Sequence, residues 1–181
     1  MALENAAELA DVLRRRDRLG NVFARHAYGM RAWVDLFSAR IAAIDDPEAK
    51  TLVATLVADN ARHMMLFRER AAAHGVDADA YVAPAEGEAI YERIKELDSL
   101  DQLLAYAIGS LDHFDELLSV YRSAARGRDA ATIDAVRADV TRMRASLRPL
   151  IGPDPGGLAA EAHERYRLRE LVETPRYAHA G

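Results

Sequence analysis

Residues 59–67, with the sequence DNARHMMLF, place an amide and a histidine three positions apart inside an otherwise apolar helical stripe. Residues separated by three or four positions share one face of a helix, so Asn60 and His63 face the same way as Leu56 and Phe67. That face is otherwise apolar, and the two polar side chains are therefore predicted to lie in the core. The stretch predicts a long amphipathic helix with two polar groups inside it.

The same spacing of apolar residues continues through most of the chain, with little β-branched alternation, and predicts an all-α fold. Seven helical segments are expected, at about residues 3–17, 19–44, 48–74, 88–97, 99–125, 130–150 and 158–172. The sequence DDP at residues 45–47 supplies the turn into the third segment, with proline at a first helical position. Residues 152–157, GPDPGG, interrupt the helical pattern. Residues 1–151 are therefore predicted to form the main domain, with an N-terminal helical extension, and residues 152–181 a break, a short helix and a loose tail.

Composition and charge limit the classes of function. The chain has 181 residues, half of them apolar, which suits one domain with a sizeable core. Its 29 acidic and 24 basic residues are mixed along the sequence, which predicts no nucleic-acid partner and no membrane partner. No apolar run approaches the roughly 18 residues of a membrane span, and the N-terminal residues lack the pattern of a signal peptide. A cytoplasmic location is expected. The absence of cysteine excludes disulfides and thiolate metal sites.

An internal repeat with a period of 80 residues relates two parts of the chain. The sequence ADNARHM at residues 58–64 aligns with ADVTRMR at residues 138–144, with Ala, Asp and Arg shared at equivalent positions. The same shift pairs Asp35 with Asp115 and maps apolar positions onto apolar positions. The repeat predicts two helical hairpins joined by a long connection.

This layout resembles the ferritin-like superfamily of four-helix bundles, in particular its rubrerythrin-like members. The resemblance covers residues 19–150 and is carried by an aromatic stripe before DDP and by a histidine 16 residues after Pro47. It implies a ferritin-like four-helix bundle of two hairpins, to which residues 152–181 add a C-terminal helical appendage. Members of the family with a di-iron centre supply two carboxylates and two Glu-x-x-His half-sites to the metals.

The ligands that the resemblance requires are missing. Asn60 stands where the glutamate of the second-helix half-site would be, although His63 is retained. The positions equivalent to the other ligands hold no carboxylate: they are His26, Ala27, Met30, Tyr106, Ala107, Ser110, Val140 and Met143. The sequence therefore predicts a degenerate metal site, with no di-iron centre and no other cofactor.

The polar residues left at one level of the predicted bundle are the candidate site. A buried polar group without a partner costs about 1–3 kcal/mol, so these groups must bond to each other, to water or to a bound molecule. They form either a satisfied core network inherited from a metal-binding ancestor or a pocket at the vacated metal site. The pocket candidates are His26, Met30, Asn60, His63, Tyr106, Ser110 and Met143.

Two functions remain open at this point. The first is a bundle that binds a small molecule or another protein through this pocket, with a homodimer among the expected assemblies. The alternative is an oxidoreductase-like enzyme that reuses the pocket, by metal-free acid–base chemistry or with a single metal ion held by His26, Asp59 and His63. Other histidines are expected to have no such role: His113 at the solvent-exposed edge of its helix, and His163 on the surface.

Overall fold

The computed structural model describes residues 6–16, 18–83, 85–151, 157–165 and 176–177. These residues form seven α-helices, a 3-10 turn at Arg148–Leu150 and a pair of two-residue strands. The helices are α1 (Ala6–Arg16), α2 (Leu19–Ile41), α3 (Pro47–Ala73), α4 (Ala85–Lys95), α5 (Leu100–Ala124), α6 (Gly127–Leu147) and α7 (Leu158–Arg165). Strand β1 (Tyr81–Val82) pairs antiparallel with β2 (Arg176–Tyr177). The all-α prediction is confirmed.

Each predicted helical segment coincides with an observed helix. The turn at DDP forms as expected: Asp46 is the N-cap of α3, its side chain accepts a 2.7 Å hydrogen bond from the backbone N–H of Ala49, and Pro47 begins the helix. Most of the predicted break at 152–157 and of the C-terminal tail lies outside the described residues. The strand pair was not predicted, because two residues are too few to show an alternating pattern. No helix in the described ranges has the length and apolar character needed to cross a membrane.

The chain divides into two compact units. The α5–α7 unit comprises the described residues of Met1–Leu19 and Asp101–Thr174, and so contains α1 as well. The α2–α4 unit comprises the described residues of Gly20–Leu100 and Pro175–Gly181, and so contains the strand pair. Each predicted hairpin lies within one unit. The domain boundary predicted at residue 151 stays a prediction.

In the α2–α4 unit, aromatic contacts define an antiparallel hairpin. The ring of Phe23, near the start of α2, stacks on Phe67 at 5.6 Å and lies 6.0 Å from the ring of His74, just after α3. The hydroxyl of Tyr28 donates a 2.5 Å hydrogen bond to Glu88 and so joins α2 to α4. Burial, and then this bond, raise the pKa of Tyr28. The start of α2 therefore lies beside the end of α3, with α4 attached through Tyr28.

Arg40, in the last turn of α2, caps the end of α4. Its guanidinium donates to the carbonyl oxygens of Ile94 and Leu97 at 3.2 Å each, and to that of Leu36 at 3.0 Å. The last carbonyls of a helix have no partner within the helix, and a cation there also interacts favourably with the helix dipole. Arg40 therefore fixes α4 on α2.

Arg40→Ala is expected to lower the free energy of unfolding by about 1–2 kcal/mol, because charge-assisted hydrogen bonds are lost. Arg40→Lys should recover only part of this, since an ammonium lacks the planar fork that reaches several carbonyls. Urea unfolding of both variants measures the effect, with Ser38→Ala, at an exposed position of the same helix, as the control. Wild-type stability in Arg40→Ala would show that the cap is not needed.

In the α5–α7 unit, a row of Asp–Arg ion pairs defines a second antiparallel hairpin. Near the end of α5, Arg122 bonds to Asp134 at 2.8 Å. One to two turns earlier, Asp115 bonds to Arg137 at 3.0 Å. The residue number on α5 falls as that on α6 rises, which is the order of an antiparallel pair. The row fixes the rotation of α5 against α6.

Helices α3 and α6 bury the same positions when they are compared at the 80-residue shift. The buried residues of α3 include Val53, Leu56, Asp59, Asn60, His63 and Phe67, and those of α6 include Ile133, Val136, Asp139, Val140, Met143 and Leu147. Each buried aspartate also bonds to the arginine three positions later, Asp59 to Arg62 at 3.0 Å and Asp139 to Arg142 at 2.5 Å. The core positions thus follow the period found in the sequence.

Candidate metal centre

Helix α7 packs directly on the backbone of α5. Gly109 lies so close to Ala159 that a Cβ at position 109 would sit 2.7 Å from the carbonyl carbon of Ala159. Four residues further along each helix, the rings of His113 and His163 meet edge to face with centroids 5.8 Å apart. Both contacts advance by one turn in the same direction, so α5 and α7 run parallel along their contact. Leu158 and Ala162 are buried on the same short helix.

Three metal-ligating side chains converge on this contact. One ring nitrogen of His113, one carboxylate oxygen of Glu116 and one ring nitrogen of His163 all lie within 4.8 Å of one another. His113 is 6% exposed, whereas the side chains of Glu116 and His163 are 66% and 41% exposed. The cluster therefore has a buried side formed by His113 and a side open to solvent.

The pair of Glu116 and His163 already shares a proton position. Nε2 of His163 lies 3.0 Å from Oε1 of Glu116, which is hydrogen-bonding distance. An imidazole nitrogen must give up its proton to bind a metal ion, so an ion entering the cluster replaces that proton. The same two atoms can thus form either a hydrogen bond or two metal bonds.

The chemistry of the three groups favours a zinc-class ion. Two imidazoles and a carboxylate are borderline ligands that suit Zn²⁺ and its transition-metal neighbours, whereas Mg²⁺ prefers oxygen alone. Ligand atoms about 2.0–2.1 Å from a tetrahedral zinc ion lie about 3.3 Å apart. The present spacing of up to 4.8 Å requires a shift of about 1.5 Å, which rotation of the exposed Glu116 and His163 side chains can supply.

Two neighbouring aspartates on α5 do not add to the candidate ligands. Asp112 lies 2.5 Å from Arg144 and also bonds to Arg148, and Asp115 lies 3.2 Å from Arg144. These ion pairs direct both carboxylates towards α6. They hold α5 in the rotation that presents Glu116 to α7.

The residues predicted for the vacated di-iron site divide between the two units. His26, Met30, Asn60 and His63 belong to the α2–α4 unit, and Tyr106, Ser110 and Met143 belong to the α5–α7 unit. All are buried except His26, which is partly exposed with its ring 6.0 Å from that of Phe67. The pocket and the function assigned to it stay predictions.

Asn60 has a local partner that explains part of its burial. Its side-chain N–H donates a 2.7 Å hydrogen bond to the carbonyl oxygen of Leu56, one turn earlier in α3. Its neighbour Asp59, which the alternative mononuclear site requires, accepts a hydrogen bond from Arg62. Among the described residues, the group of three that has metal-ligand spacing is not His26, Asp59 and His63 but the cluster on α5 and α7. The residues at the family's ligand positions do not fit a di-iron centre.

Comparison of the chain with protein-family models, with characterised proteins and with solved structures finds no match. The chemistry of the cluster must therefore be derived from its own residues, and the ferritin-like resemblance stays a prediction.

Two expectations about histidines need correction. His113 was expected at a solvent-exposed edge, but it is buried, because α5 is surrounded from Leu103 to Ser110 and continues into the core at His113 and Phe114. His163 was expected to be an isolated surface residue, but it contacts both His113 and Glu116. The local signal was the spacing of His113 and Glu116, which places both on one face of a helix.

Proposed function

We propose that this protein binds a zinc-class divalent metal ion through His113, Glu116 and His163. The observation that carries the proposal is the convergence of three ligand atoms, from two helices, within 4.8 Å of one another. Histidine and glutamate are common zinc ligands, and the two α5 ligands come from adjacent turns of a helix whose rotation is fixed by ion pairs to α6.

Three protein ligands leave one position of a tetrahedral ion for water or another molecule. That position lies on the open side of the cluster, where Glu116 and His163 are partly exposed. The proposed activity is therefore reversible binding of an ion that still accepts one exogenous ligand.

Calorimetric titration of zinc into the full chain, purified free of metal, tests the proposal. We expect one ion per chain, and we expect His163→Ala or Glu116→Gln to weaken binding by roughly a hundredfold, because each removes one of three ligands. Both side chains are substantially exposed, so their replacement leaves the core intact. Mg²⁺ should give no comparable binding, since it prefers oxygen ligands.

His26→Ala is the matched control, because His26 belongs to the alternative mononuclear site in the other unit. We expect it to bind zinc as the wild type does. Loss of binding in His26→Ala, with binding kept in His163→Ala, would place the ion at the alternative site and overturn the proposal. Absence of zinc binding by the wild-type chain would overturn it as well.

We also propose that the chain is a divergent ferritin-like bundle that arose by duplication of a helical hairpin. Support comes from the matching buried positions of α3 and α6 at the 80-residue shift and from the repeated Asp–Arg pairs. On this proposal the homodimer, the small-molecule pocket and the cytoplasmic location stay predictions. The metal cluster is then a feature of the second hairpin and α7, and it does not descend from the family's di-iron site.

A further inference from the structure

We infer that the bound ion acts as a latch that holds α7 on α5, so that the position of α7 depends on the concentration of free metal. This inference rests on the proposed function. It follows from the division of the ligands, because α5 supplies His113 and Glu116 and α7 supplies His163. Neither helix holds three ligands by itself, and a complete site requires both.

Helix α7 is well suited to move between a docked and a released position. It has eight residues, too few for a stable helix in water without tertiary contacts. Its docking depends on the burial of Leu158 and Ala162 and on the close backbone approach of Ala159 to Gly109. The described contacts of α7 are thus few, and local opening at a lower free energy than global unfolding is the expected behaviour of such an element.

Metal binding changes the strength of attachment at one end of this contact. When no ion is bound, the polar attachment is the hydrogen bond between His163 and Glu116, an exposed pair of the kind that contributes little. With the ion bound, His163 is joined through the metal to both α5 ligands. An ion that binds the docked form, but not the released form, suppresses opening by the factor 1 + [M]/Kd.

Release of α7 would uncover the face of α5 that carries Gly109 and His113. His113 is buried in the docked form, and Gly109 has no side chain to cover the helix backbone. Free metal would therefore control the exposure of this face. The latch is specific to the second hairpin, because the 80-residue shift maps His113 and Glu116 onto Trp33 and Leu36, which are not metal ligands.

Hydrogen exchange measured by mass spectrometry on the full chain tests the latch. At zinc concentrations near one hundred times the measured Kd, exchange of amides in residues 158–165 should slow by about a hundredfold if it proceeds by local opening. Amides of α3, in the other unit, should be unchanged. His163→Ala should show the fast exchange at α7 with and without zinc.

The outcomes separate the latch from the proposed function. Zinc binding in calorimetry without added protection at α7 would overturn the latch and leave metal binding intact. Equal protection of α3 and α7 would also overturn it, because the ion would then act on the whole fold. Absence of zinc binding would overturn the proposed function and, with it, the latch.

Discussion

Gly109→Ala is expected to displace α7 from α5 and to lower the free energy of unfolding by about 2–3 kcal/mol. The added Cβ would overlap the carbonyl oxygen of Ala159 and lie 2.7 Å from its carbonyl carbon. Both atoms belong to the backbone, so no side-chain rotation relieves the overlap and α7 has to move. Urea unfolding followed by circular dichroism measures the loss of stability.

The same substitution should also abolish the metal site, because His163 moves with α7. We expect the zinc affinity of Gly109→Ala to fall by roughly a hundredfold, as in His163→Ala, although all three ligands are still present. A variant that kept both wild-type stability and wild-type affinity would show that α7 does not pack on Gly109.

Gly29→Ala is the matched control for this experiment. Gly29 lies 80 residues before Gly109, inside α2, and an added Cβ there meets nothing within 4 Å. Alanine is a better helix former than glycine, so Gly29→Ala should raise the free energy of unfolding by up to about 1 kcal/mol. Two glycines at equivalent positions should thus give effects of opposite sign.

The contrast between these glycines shows how much the sequence could predict. Helices were predictable, because the spacing of apolar residues and the caps are local signals; the Asp46 cap before Pro47 is an example. Gly29 and Gly109 look alike in the sequence, since both interrupt a helical stripe. Only the packing of α7, which begins 49 residues after Gly109, distinguishes them.

The metal cluster was missed for a related reason. His113 and Glu116 are three residues apart on α5, which is a visible half of a site, but the third ligand follows 47 residues after Glu116 and beyond the Gly- and Pro-rich stretch. The search for a site followed the repeat, which maps first-half residues onto second-half residues. A site built in one half alone, with a helix that has no counterpart in the repeat, cannot be found in this way.

Asn60→Glu is the second substitution with a large expected effect, because it restores the glutamate of the family half-site. We expect it to lower the free energy of unfolding by about 3 kcal/mol or more at neutral pH. Asn60 is 4% exposed, and its side-chain N–H donates to the carbonyl oxygen of Leu56. A carboxylate has no proton to donate and would face that carbonyl oxygen instead. Ala58→Glu, at an exposed position of the same helix, is the control and should change stability little.

The loss of stability in Asn60→Glu should depend on pH. Burial disfavours the charged form and raises the pKa of the introduced carboxyl group above its value in the unfolded chain. The folded state then binds the proton more tightly than the unfolded state, so the destabilisation is greatest above the raised pKa and decreases as the pH falls. Urea unfolding at pH 8 and pH 5 should therefore show a larger difference from wild type at pH 8. A pH-independent difference would show that the carboxyl group is not buried in the folded state.

Iron binding by the same variant tests the resemblance to ferritin-like proteins. One restored glutamate beside His63 does not make a di-iron centre, because such a centre also requires carboxylates at positions held here by residues such as Ala27, Ala107 and Val140. We expect purified Asn60→Glu to hold less than one iron per chain. Stoichiometric iron uptake without loss of stability would mean that the missing carboxylates come from other positions, and the alignment of α2 and α5 with the ligand helices of the family would be wrong. Iron content therefore tests the family alignment, whereas zinc binding tests the cluster on α5 and α7, and neither result determines the other.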